Sequence, residues 1–566
     1  MQRLRTIARR ARDRVGLAGL AGALGIALAL VVLYGPAVAG HVRLASSHWV
    51  FNDDVRVLIH AQFRNEDPAL FPGDPAVDYF LASLPDGYAL LYRALTPIFG
   101  VVALSKGLPY VLLAVTLACT AAAAWKLGGG AAAFGSLALT LGSGYLLARM
   151  AGGLPRGFAA PLLAAGTLAL VSGRATWLAV VAVVAAGFYP AAALTLGVAL
   201  ALFSLLPAAQ RGDAGTWSLR KRTGVLALTA VAAALVLLPS FLRLRAWGDP
   251  IGPELVHAYP EAGPNGRFDP MDRPPFPALP AAALAPLRAA VLGDGPSILP
   301  ALDARAHAGW LVPCVGALSL LGCAWLARRR LEARRFLLLP LAVVFCHTLS
   351  LLVEPRLFLP ERYVAYAVPI IALVAVPSTL GALDRARAAW LHLLPWLYNL
   401  LLVFVIGSRG VSWSGLTVHV PDADHALFAA IARLPKNAVV AAFPSETSDS
   451  IPYLTRRGVF LARETHMPFH TRYTELMRGR ARALFDAYFS SSTDELREFR
   501  ERNGVTHLLV NRRDFADRPT YFAPFDRRIA RDFAAGKTSG FAALALAPKL
   551  GVFTRGDWVL LDLGKL

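Results

Sequence analysis

Asp53 and Asp54 stand side by side just past the first long apolar run, in a stretch, Trp49 to Arg93, that also holds Glu66, Asp67, Asp74, Asp78 and Asp86. Acid is scarce elsewhere, since the formal net charge is +20. A carboxylate at the water boundary of a bilayer stays ionised without the full cost of burial in hydrocarbon. There it is equipped to act as a general base. Adjacent residues on a helix or strand point in different directions, so one of the pair is expected as base and the other as a structural or metal-binding partner. A helix start competes for the same residues, because Asn52, Asp53 and Asp54 are all good caps for a helix beginning at Val55.

The elements that carry this pair follow from composition. With 566 residues, 56% of them hydrophobic and 17% charged, the chain is too apolar for an ordinary soluble enzyme and too long for a simple anchor. The basic residues fall in short clusters between apolar runs, as topology determinants do, and this pattern argues against a nucleic-acid partner. Cys119, Cys314, Cys323 and Cys346 all lie inside apolar segments and read as small core residues.

Read in order, the basic segment MQRLRTIARRARDR is expected in the cytoplasm, followed by an apolar run from Gly16 to Gly40. That run exceeds a signal-peptide core of about 7 to 15 residues, so it reads as a first transmembrane helix with the acidic loop outside. Within the loop, taken as residues 41–107, apolar spacing predicts interface helices over Val55 to Phe63 and Tyr79 to Leu95. Spans are expected at Leu108 to Trp125, Ala131 to Ala148, Phe158 to Val171, Gly224 to Leu242, Trp310 to Leu326, Phe336 to Val353, Val364 to Leu380 and Trp390 to Gly407. The run Trp177 to Leu206 is interrupted by GFYP and reads as two short helices meeting at Tyr189 and Pro190, provided the freed backbone groups find partners. The loop Arg243 to Arg305, rich in proline and glycine, is either an ordered outside lid or a disordered connector.

The fold class expected is therefore a polytopic α-helical membrane protein of about eleven transmembrane helices over residues 1–407, with a C-terminal soluble α/β domain over 408–566. The N-terminus is expected inside and the C-terminal domain outside, in the periplasm or extracellular space, on an inner membrane. Strands are predicted at NAVVAAF, THLLV and WVLLDL, and a capping box from Ser492 to Glu495 opens a helix that stops at Gly504. The tail carries no phosphate loop, GxSxG or HExxH. His466 and His470 lie four apart, but Pro468 between them argues against a shared helix face for metal.

An acidic pair after the first span, a long loop with interface helices, many spans and an outside C-terminal domain together resemble the GT-C superfamily of integral membrane glycosyltransferases. The wording FNDDVRVLIHAQFRNEDPALFPGDPAVDYF, with LPRGFAAP and PERYVAY downstream, resembles bacterial members that use polyprenyl-phosphate sugars. The resemblance covers roughly Gly16 to Gly407. It implies transfer of a sugar from a polyprenyl-phosphate donor to a glycan, lipid or protein acceptor on the outer face, with Asp53 or Asp54 as base. Inversion is expected, and a divalent metal is an open possibility. Members often carry a second acidic motif outside; Glu254, Glu261 and Asp269 are candidates without a matching pattern. Arg362, Arg356, Arg156 and Arg267 sit near membrane ends, where a guanidinium grips a phosphate in bidentate fashion, or else anchors at headgroups. Tyr189, Asp74 and His60 complete the set as acceptor or pocket residues.

The competing classes are a lipid-linked glycan transporter or flippase, a polysaccharide polymerase or ligase using a lipid diphosphate, and a noncatalytic scaffold. Transporters carry ionisable residues near the bilayer midplane, and the predicted spans are almost free of them.

Overall fold

A computed structural model describes residues 28–207, 218–252, 254–267, 283–284, 286–288, 311–328, 330–353, 359–380, 393–405 and 415–566. The basic N-terminal segment, Arg356, Asp269 and most of the loop from 268 to 305 lie outside the described residues. Within them, five helices are long and apolar enough to cross a membrane: Leu28–Ser46 (α1), Val101–Gly142 (α5), Arg220–Arg245, Leu331–Leu352 and Glu361–Ser378. Five shorter apolar helices join them, so the chain is a multi-pass membrane protein.

α1 runs on to Ser46, and α5 starts at Val101. The intervening loop is thus shorter than expected at both ends, because the apolar pattern marks hydrocarbon while the backbone helix continues into the interface. α5 is two limbs, broken at Gly129, whose φ of 77° lies in the left-handed region, within the KLGGG turn. The break at GFYP falls between α8 (Ala175–Ala186) and α9 (Pro190–Leu205). The Tyr88 N–H satisfies the freed Gly187 carbonyl at 3.0 Å. Side chains are excluded there: a Cβ at Gly87 would meet that carbonyl oxygen at 2.7 Å.

The outside loop folds into strand β1 (Val50–Phe51) and helices α2 (Val55–Gln62), α3 (Pro75–Ser83) and α4 (Asp86–Phe99). Leu84 and Pro85 divide the single interface helix expected over Tyr79 to Leu95, as a proline forces the residue before it out of helical geometry.

Residues 439–562 supply a five-stranded sheet in the order β4 (Gly458–Val459), β3 (Val439–Ala442), β5 (His507–Asn511), β7 (Trp558–Asp562), β6 (Gly551–Arg555). β3 pairs parallel with both β4 and β5, and β7 runs antiparallel to β5 and β6. Helices including Thr471–Tyr488 and Asp526–Ser539 cover it, over a core rich in Phe485, Tyr488, Phe489 and Phe525. A further strand, β2 (Val418–His419), leaves this sheet alone and pairs with β1. The two halves of the chain are thereby joined beside the acidic pair.

Candidate active site

The turn that delivers Arg156 shows how local sequence builds the site. Gly152 and Gly153 both take positive φ, 83° and 63°, which few other residues tolerate. The hydroxyls of Tyr88 and Tyr92 on α4 donate to the Gly153 carbonyl at 3.0 and 3.1 Å. Pro155 then opens a short 3-10 turn, Pro155–Phe158. Arg156, held on that turn, forms an ion pair with Asp54 and donates to Asn52 Oδ1 at 3.3 Å.

Asp54 stands at the start of α2, yet its side chain makes no capping bond there. Its carboxylate is turned to Arg156 instead. Among the described residues the Asp53 carboxylate accepts from the neighbouring Asp54 N–H alone, at 3.0 Å, and no described cation pairs with it. The other acids of the loop are bound to structural partners. Glu66 accepts the Val101 N–H at 2.6 Å and pairs with Arg456 at 2.6 Å. Asp67 pairs with Lys436 at 2.6 Å and Asp78 with Arg64 at 2.5 Å. Asp86 holds Arg243 at 2.9 Å and accepts from Ser240 at 2.9 Å.

A second group of predicted residues meets around Tyr189. Arg362, in the first turn of Glu361–Ser378, donates to the Tyr366 hydroxyl at 3.3 Å. The Tyr366 ring packs edge-on against Tyr189, with centroids 5.2 Å apart. Both Arg362 and Arg156 lie within electrostatic reach of Tyr189. The Tyr189 hydroxyl is buried without a hydrogen-bond partner among the described residues. Tyr145 donates to the Ala365 carbonyl at 3.0 Å, and the Arg149 guanidinium lies over its ring at 5.2 Å. The structure therefore brings together Asp54, Arg156, Tyr189 and Arg362, with Asp53 adjoining. It adds Tyr145, Arg149 and Tyr366, which the sequence reading gave no role, and Asn52, which that reading treated only as a helix cap. Tyr366 was accessible to such reasoning, because positions four apart on a helix share a face.

The remaining candidates lie elsewhere. Asp74 is the N-cap of α3, accepting from Ala76 and Val77 N–H at 2.9 and 3.4 Å. His60 is buried in α2 against Phe71, and burial pushes its pKa down to about 4, so it is neutral near pH 7. Arg267 is held on the C-terminal half, by Glu464 at 2.9 Å and the Arg463 carbonyl at 3.1 Å. Glu261, fully buried, is clamped by two contacts of 2.7 Å from Arg478. His466 meets the Tyr521 hydroxyl at 3.2 Å and His470 that of Tyr79 at 2.8 Å, so the two rings serve separate contacts. Among the described residues no three His, Cys, Asp or Glu side chains converge as metal ligands. A shallow cleft borders Asn52 and is lined also by Lys106, Tyr110 and Tyr453.

No family model and no curated protein matches this chain. Among solved structures it is similar to ArnT from Cupriavidus metallidurans bound to undecaprenyl phosphate, at 15% identity and a TM-score of 0.49, covering 96% of this chain and 97% of that one. It is similar also to the Archaeoglobus fulgidus oligosaccharyltransferase in complex with Zn and sulfate, at 12% identity and a TM-score of 0.47, covering 87% and 68% of the two chains.

Proposed function

We propose that the chain is a GT-C glycosyltransferase of about eleven spans that moves a sugar from a polyprenyl-phosphate donor to an acceptor hydroxyl at the outer face of the membrane. The observation that carries this reading is a carboxylate with no cation among the described residues, Asp53, next to another, Asp54, that is paired with Arg156.

The acceptor hydroxyl is a weak nucleophile until its proton leaves. In the proposed step its oxygen attacks the anomeric carbon of the donor while Asp53 takes the proton. The bond from that carbon to the phosphate oxygen breaks, and its electron pair leaves with the polyprenyl phosphate. Attack from the face opposite the leaving group inverts the centre. The leaving phosphate gains charge as the bond breaks, and fixed cations stabilise it more in the transition state than in the ground state. Arg156, Arg149 and Arg362 are the proposed cations, and the buried Tyr189 hydroxyl is a proposed hydrogen-bond donor to the same group. Asp54 acts in this scheme by aiming Arg156.

The test is to offer purified protein in detergent a panel of polyprenyl-phosphate sugars and measure free polyprenyl phosphate together with glycosylated acceptor. Equal release of both supports transfer. A panel from which neither product forms overturns the reading.

A further inference from the structure

Asp53 is held by its main chain, and the grip comes from across the molecule. Its N–H donates to Thr417 Oγ1 at 3.0 Å, and its carbonyl accepts from Arg56 Nε at 3.1 Å in addition to the helix bond from Arg56 N–H. Thr417 leads into β2, where Val418 and His419 pair with Phe51 and Val50. Next to it, the Gly415 carbonyl accepts from Asn52 Nδ2 at 2.9 Å. Arg56 is only 4% exposed. Its guanidinium reaches the Glu446 carbonyl at 3.5 Å and lies 3.9 Å from Glu464, both in the C-terminal half.

A helix start requires none of this. The first turn of α2 already uses the Asp53 carbonyl, so the bond from Arg56 Nε to it is additional to the helix ladder. What the two bonds do is fix the peptide groups on either side of the Asp53 Cα, and so the direction of its Cβ. Proton transfer demands that direction, since the carboxylate must come within about 2.6–3.2 Å of the hydroxyl it deprotonates.

We propose that Thr417 and Arg56 are positioning residues for Asp53, so that the C-terminal half completes the active site by aiming its base. This rests on the transferase reading. Thr417→Val keeps the shape and removes the oxygen, whereas Thr417→Ser restores it. The valine variant is expected to lose about tenfold in kcat with the donor KM unchanged, because aim matters only in the transition state. The serine variant should recover most of that loss, with all three proteins melting alike. Should the valine variant not fold, Arg56→Lys carries the same test, as lysine keeps the charge near Glu464 but loses the directional Nε bond. Wild-type kcat in the variant tested overturns the inference, and so does a loss that serine does not rescue. Asp53→Asn run beside them separates the two levels. Turnover by that variant removes the transferase base itself, whereas a dead Asp53→Asn with an active Thr417→Val removes the positioning role alone.

Discussion

At the scale of single residues, the seven acids between Trp49 and Arg93 divide by partner. Glu66, Asp67, Asp78 and Asp86 are each neutralised by a cation, Asp74 caps a helix, and Asp54 aims an arginine. Asp53 has no cation partner among the described residues. The FNDD stretch was legible because acid is rare in so basic a chain. The use of Asp74 was legible too, since an aspartate followed by proline at the first helical position is a helix-start signature. The pairing of Arg267 with Glu464 was not, because the two are brought together only by tertiary folding. Arg362 is proposed to hold phosphate before and during reaction, so Arg362→Ala should raise the donor KM about tenfold, or ~1.4 kcal/mol of binding. Steady-state kinetics over a range of donor concentrations measures this. An unchanged KM would move Arg362 out of the donor site.

Single elements show where periodicity informs and where it fails. The strands at NAVVAAF, THLLV and WVLLDL fall on β3, β5 and β7, short apolar runs of the kind buried on both faces of a sheet. β4, β1 and β2, two residues each, are too short to show any alternation. Ser492 caps its helix through the Glu495 N–H at 3.4 Å and Gly504 closes it in the left-handed region. The reciprocal half of the expected box is absent, because Glu495 accepts from Ser490 at 2.5 Å instead. The helix Glu446–Thr455 contains Asp449, 2% exposed, whose carboxylate accepts the Arg463 N–H at 2.7 Å. Burial pushes its pKa up to about 7, against the pull of Arg56 and Arg267. A pKa raised on folding adds stability below the ordinary carboxylate range, and that contribution is lost as pH rises through about 7. The melting midpoint should therefore fall between about pH 5 and pH 8, and Asp449→Asn should flatten that fall. Thermal melts of both proteins across this range decide it; parallel curves would mean that Asp449 is ionised throughout.

The whole molecule depends on contacts between distant parts of the chain. Apolar runs marked where many helices of the membrane portion lie, with bounds that differ by several residues, as Gly224 to Leu242 against Arg220–Arg245 and Phe336 to Val353 against Leu331–Leu352. How the acidic loop docks on the C-terminal half was beyond reach, because it is made by pairs separated by hundreds of residues, such as Glu66 with Arg456 and Asp53 with Thr417. Those contacts hold the backbone of Asp53 beside the Asp54–Arg156 ion pair, and the central proposal is that the Asp53 carboxylate removes the acceptor proton. The measurement that tests it most directly compares the turnover of Asp53→Asn with wild type in detergent, using a donor the wild type accepts and measuring donor affinity separately. Turnover reduced by about a thousandfold or more, with donor affinity and melting midpoint retained, is predicted for loss of a general base. Wild-type turnover by the folded variant would contradict the account.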